Sequence, residues 1–155
     1  MSATQPGEIA IWLPLLVGAG AMITTVSLHA LAVIATVTFV RRERRLGHSG
    51  ASFVVDVIIV TVAIYIVLVA HLLEIGVWAT LFVLCREFPA FAIAYDHSAV
   101  NYTTLGYGNV IMTPAWRLLG PLEAANGMLM FGVSTAIIFT VIQRLLYARF
   151  ADLRA

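Results

Sequence analysis

Apolar residues dominate three long stretches of the chain, at residues 9–40, 53–84 and 121–147, and a fourth, shorter one at 89–102. Each long stretch exceeds the roughly 20 residues a helix needs to cross a bilayer, so the pattern predicts three transmembrane helices. The fourth has about 14 residues, or roughly 21 Å of helix, too short for a hydrocarbon core of about 30 Å. It predicts a re-entrant half-helix whose carboxyl end points inward with partial negative charge, favouring a cation there. The chain must then return outward through 103–112. The fold class is therefore all-α, a membrane protein of three spanning helices with one half-helix and a loop between the second and third.

The breaks between these stretches differ in character. Arg41-Arg42-Glu43-Arg44-Arg45 closes the first, followed by the polar turn Leu46-Gly47-His48-Ser49-Gly50, whose glycines end the helix. Arg86-Glu87-Phe88-Pro89 closes the second, and proline is tolerated in a new first helical turn. Thr113 as a cap with Pro114 after it predicts a short surface helix before the third span. The resulting segments are 1–8 outside, 9–40 first span, 41–52 arginine-rich loop, 53–84 second span, 85–112 half-helix and loop, 113–147 third span with its lead-in, and 148–155 a short tail.

Composition supports the pattern. With 61% apolar and 11% charged residues in 155, the chain is unsuited to a soluble domain. Nine cations, all arginine, nearly balance eight acids, which argues against a nucleic-acid partner. Cys85 is the only cysteine, so no intrachain disulfide or zinc finger can form. Residues 1–8 lack the basic region of a cleaved signal. Arg41, Arg42, Arg44 and Arg45 mark the cytoplasmic side and suit contact with anionic lipid heads. They cluster beyond a span instead of recurring through one, unlike a voltage sensor.

Several residues inside the spans invite chemistry. Gly18-Ala19-Gly20-Ala21 suits close approach of another helix. His29 alone is expected to hydrogen-bond a neighbouring helix. His71 and Glu74 lie three apart on one face and can bond each other; with a histidine reference pKa of about 6.5, a proton-sensitive contact is the functional alternative to a paired polar face. Trp78 suits the interface opposite the arginines.

Within the return segment, Thr103-Thr104-Leu105-Gly106-Tyr107-Gly108-Asn109 resembles the selectivity filter of tetrameric potassium channels, a Thr-Val-Gly-Tyr-Gly run. The resemblance extends over about 58–144, taking in Trp116-Arg117 and the inner-helix glycines Gly127 and Gly132. It implies a C4 homotetramer in which four copies of Thr104, Leu105, Gly106 and Tyr107 ring K+ with oxygens, Gly108 completing the filter. Thr103, Asn109, His97, Asp96 and Val100 fall where the family supports its filter, and a gate or pore lining is implied at Met128, Phe131, Thr135, Phe139 and Gln143. Gly127 and Gly132 would serve as hinges. This chain departs from the pattern: Leu105 replaces valine, Asn109 aspartate, Val100 a glutamate found in some members, and Asp96 and His97 two bracing tryptophans.

The function this implies is passive, potassium-selective conduction with no catalysis and no cofactor, K+ being the permeant ion. The family topology puts the N-terminus outside and the C-terminus in the cytoplasm, as expected for a bacterial inner membrane, and the arginines agree with it. Competing readings are a weakly selective cation channel, a non-conducting regulatory subunit that keeps the loop as scaffold, and, most remote, a metalloenzyme using His29, His71 and Glu74.

Overall fold

The computed structural model describes residues 11–106 and 110–150. Readings that fall on 1–10, on Tyr107, Gly108 and Asn109, or on 151–155 lie outside the described residues. The regular elements are helices throughout: α1 (Trp12–Arg45), α2 (Phe53–Leu84), α3 (Phe91–Tyr102) and α4 (Leu119–Arg149). α1, α2 and α4 are long and apolar enough to cross a membrane. α3 has 12 residues, about 18 Å of helix, and begins after an extended Ala90.

Helix ends differ from the apolar pattern in instructive ways. α1 runs on through the arginines to Arg45, because arginine is a good helix former and cations are favoured at a helix carboxyl end. Gly47, at φ 74°, then stops it: its N–H donates to the Arg44 carbonyl (3.1 Å) and the His48 N–H to that of Glu43 (3.0 Å), the paired bonds of a Schellman cap. α2 ends the same way with Arg86 at φ 60° in place of glycine, the Glu87 N–H returning to the Phe82 carbonyl (3.1 Å). The surface helix expected at Thr113 and Pro114 does not form. The Trp116 and Arg117 N–H groups both return to the Thr113 carbonyl (3.1 and 2.9 Å), giving turns, since so short a segment cannot offset helix nucleation.

Contacts divide the chain into two compact units, Met1–Val26 with Leu73–Leu129 and Ser27–Leu72 with Met130–Ala155. Each long helix contributes a segment to both. In the first unit, Glu74, Ile75, Trp78, Ala79 and Phe82 of α2 are buried at the three- and four-residue spacing of one helix face. Ala94, Ser98 and Tyr102 of α3 and Leu119, Glu123 and Asn126 of α4 supply matching stripes. Trp78 is thus an interior residue, fully buried and 6.2 Å from the Phe82 ring, not the interfacial anchor its type suggested. Of the two glycines in the Gly18–Ala21 cluster, only Gly18 packs closely, a Cβ there lying 2.7 Å from Leu122 Cδ1, whereas Gly20 has nothing within 4 Å.

In the second unit, Val40, Ile59, Ala63, Val141 and Leu145 form a buried apolar cluster. Beside it Asp56, itself buried, accepts from the Gly50 N–H (2.9 Å) and from Arg149 Nε (3.0 Å) and a terminal guanidinium nitrogen (2.5 Å). One carboxylate thereby fixes both the α1–α2 turn and the end of α4. Breaking a buried pair by removing one partner strands the other charge. Asp56→Ala is expected to lower unfolding stability by roughly 3 kcal/mol, and the exchange Asp56→Arg with Arg149→Asp to recover part of it, as followed by circular dichroism during thermal unfolding.

Candidate functional site

The half-helix α3 is the element that positions the return loop, and its carboxyl end is completed by backbone bonds. The Thr103 N–H reaches the Ala99 carbonyl (3.1 Å), the Thr104 N–H that of Asn101 (2.9 Å) and the Leu105 N–H that of Val100 (2.9 Å). Thr104 sits at φ 59° and Gly106 at φ 69°, whereas Thr103 is at φ −83° and Leu105 is not left-handed. Alternation in the sign of φ from residue to residue turns successive carbonyls toward one side of the backbone. Glycine adopts the left-handed state freely, while threonine pays for it with a cost of about 1–2 kcal/mol, held here by the cap.

Two polar side chains fasten α3 from behind. The Tyr102 hydroxyl donates to Glu74 Oε2 of α2, and the Ser98 hydroxyl contacts both the Ile75 carbonyl (2.9 Å) and Glu123 Oε1 of α4. A hydroxyl has one proton, so a second bond at Ser98 is completed only when the Glu123 carboxyl supplies the other. All of these side chains are buried, where an unmade hydrogen bond costs about 1–3 kcal/mol. Beyond the loop, Glu87 accepts from the Thr113 N–H (2.8 Å) and hydroxyl (2.5 Å), pinning the returning chain to the end of α2.

Of the five expected filter-support residues, three share one cavity, while Asn109 lies outside the described residues. Asp96, His97 and Val100 line a cavity of about 480 Å3 together with Thr104 and Gly106. His97 Nε2 accepts from Asn101 Nδ2 (2.9 Å), and the ring packs against Phe88 and Phe82 at 4.7 and 5.7 Å. Burial pushes its pKa down, against the opposing carboxylates of Asp96 and Glu87, in keeping with a neutral ring. Thr103 is exposed at the cap, its hydroxyl turned back to the Ala99 carbonyl (2.7 Å).

His71 Nε2 lies 2.8 Å from Ser134 Oγ and stacks on Phe131 at 4.4 Å. His29, which was expected to bond a neighbouring helix, does so: its Nε2 is 3.2 Å from the same Ser134 oxygen on α4. Met128, Phe131, Thr135, Phe139 and Gln143 are all exposed, but so are Leu129 and Val133 between them, so exposure alone does not single out that stripe. The two glycines separate. A Cβ on Gly127 would lie 2.1 Å from the Tyr102 carbonyl oxygen, whereas Gly132 has nothing within 4 Å.

A family model described as "Ion channel" matches residues 53–144, more than half of the chain. The chain belongs to this pore-loop ion-channel family. No curated protein and no solved structure matches it. The family passes ions and is not an enzyme family, and it calls for no cofactor beyond the permeant ion. The matched stretch takes in α2, α3 and most of α4, while α1 lies before it. Reading the sequence missed Ser98, Glu123 and Asn101 of this ion channel. Glu123 carried a usable signal, because an acid inside an apolar span must find a protein partner or a water-filled space.

Two pairs of substitutions test the support of α3. Gly127→Ala is expected to lower stability by roughly 1–3 kcal/mol, the usual cost of overpacking, whereas Gly132→Ala is neutral or stabilising because alanine is the better helix former. Chemical unfolding separates the two. Glu74→Gln keeps an acceptor for Tyr102 and is tolerated, while Glu74→Ala costs about 1–3 kcal/mol; fluorescence of Trp78, one turn away on α2, reports the loss.

Proposed function

We propose that this ion channel is a homotetrameric, potassium-selective channel of a bacterial inner membrane, with its N-terminus outside and its C-terminus in the cytoplasm. The observation that carries the reading is the alternating backbone at Thr104 and Gly106, delivered by the carboxyl end of a half-helix within a Thr-Leu-Gly-Tyr-Gly run. A carbonyl row of this kind replaces an ion's water shell, and a half-helix end adds partial negative charge. One chain supplies a quarter of each oxygen ring, so four chains are needed.

In this reading K+ passes in file through rings made by Thr104, Leu105, Gly106 and Tyr107, with Gly108 closing the outer end. Asp96, His97, Val100, Thr103 and Asn109 support the filter from behind. Below it Met128, Phe131, Thr135, Phe139 and Gln143 line the path, Phe139 forming a hydrophobic constriction able to gate by dewetting, with bending at Gly127 or Gly132. His71 and Glu74 are the proton-sensitive contacts, and Arg41, Arg42, Arg44 and Arg45 meet anionic lipid heads.

Purified protein in liposomes is expected to carry potassium flux that barium blocks. Under opposed potassium and sodium gradients the reversal potential should approach the potassium equilibrium value. A value near zero selects the weakly selective cation channel, which Leu105 and the absence of bracing tryptophans at Asp96 and His97 would favour. No flux under any pH or voltage selects a non-conducting subunit.

A further inference from the structure

We propose that the cavity of about 270 Å3 lined by Arg41 and Arg44 of α1, Ser49 of the following turn and Arg144 of α4 binds a phosphate-bearing anion, either the headgroup of an anionic phospholipid or free phosphate. The inference goes beyond conduction and stands whether or not the pore passes ions.

Three arginines from two helices line the cavity, and no acid is among its lining residues. Among the described residues, none of the three makes an ion pair or a side-chain hydrogen bond. Two acids near in sequence are engaged elsewhere: Glu43 Oε2 with His48 Nδ1 at 2.7 Å, and Asp56 with Arg149 and the Gly50 N–H. Among the described residues, no carboxylate is paired with these three arginines.

Ser49 supplies an independent indication. Its hydroxyl oxygen is buried and has no partner among the described residues, yet the residue lines this cavity. A buried hydroxyl without a partner is unfavourable, and an incoming anion oxygen would accept its hydrogen bond. Guanidinium groups are planar donors whose fork matches phosphate oxygens two at a time. Val40 and Leu145, both from the buried apolar cluster, give the cavity apolar walls, as suits an anion held beside acyl chains.

All these arginines are exposed, and Arg42 and Arg45, which do not line the cavity, are left to the general contact with anionic lipid heads. Arg41, Arg44 and Arg144 differ by lining one cavity with a buried hydroxyl that has no partner among the described residues. An anion bound there would tie α1 to α4.

Thermal unfolding of the full chain tests this in nanodiscs of phosphatidylcholine, of phosphatidylcholine with phosphatidylglycerol, and of phosphatidylcholine with inorganic phosphate against chloride at matched ionic strength. The melting midpoint is expected to rise with phosphatidylglycerol, with phosphate, or with both, and the arm that raises it identifies the source of the anion. Arg44→Gln with Arg144→Gln should abolish the rise, the apparent affinity falling roughly tenfold or more. Arg42→Gln with Arg45→Gln removes the same charge outside the cavity; it weakens only the general attraction to an anionic surface and should lose clearly less of the rise, and none of a rise due to inorganic phosphate. Arg144→Lys, which keeps the charge without the fork, should give a reduced rise and covers the case of a double variant that does not fold. No rise in any arm, or an equal loss in the two double variants, overturns the proposal.

Discussion

A helix that stops inside a membrane leaves carbonyl groups with no water to bond, and every such group costs several kcal/mol if left alone. α3 meets this constraint with its own backbone. The three N–H groups of Thr103, Thr104 and Leu105 take up the carbonyls of Ala99, Asn101 and Val100, which requires a left-handed residue at Thr104. The twist that satisfies the helix end is thus also the one that begins the alternating backbone of the loop. Termination of the helix and formation of the candidate ion path are one event, not two.

A cap held in so costly a conformation needs a rigid mount. Ser98 and Tyr102 lie four apart on the buried face of α3; both are fixed to α2, Ser98 through the Ile75 carbonyl and Tyr102 through Glu74, and Ser98 also reaches Glu123 of α4. Gly127 lets α4 come within reach of the Tyr102 carbonyl. Rotating α3 would break both polar attachments and drive its last carbonyl into α4. Polar contacts serve well here because bilayer lipid is as apolar as a leucine side chain, so apolar contact alone orients helices weakly.

How much of this was legible depended on the kind of signal. Apolar run lengths defined all four helices, and a threonine–glycine pattern marked the loop, because bilayer thickness and backbone sterics act on local sequence. The partners of α3 were not legible. Ser98 and Glu123 are 25 residues apart, and neither has a motif; only the packing of two helices makes them a pair. Trp78 failed for the opposite reason. Its type suggested an interface, but its position on the stripe of Ile75, Ala79 and Phe82 takes it inside, so register outranks residue type. Arg41 to Arg45 extended α1 because nothing in their backbone preferences opposes a helix, and only Gly47 does.

α1 lies before the stretch shared with the ion-channel family, yet its contacts are not those of a loose appendage. In the first unit Asn126 of α4 donates to Thr25 (2.9 Å) and Gly18 packs on Leu122. In the second, Ser134 of α4 meets His29 (3.2 Å). Small residues and interhelical hydrogen bonds are what hold helices together in lipid, each bond contributing about 0.6–2 kcal/mol. α1 spends them on α4, the helix that carries Gly127 and the exposed stripe. A helix meant to dock a separate partner would keep its polar groups for that partner. Thr25 and His29 are buried against this chain instead, which makes α1 part of the scaffold that fixes α4.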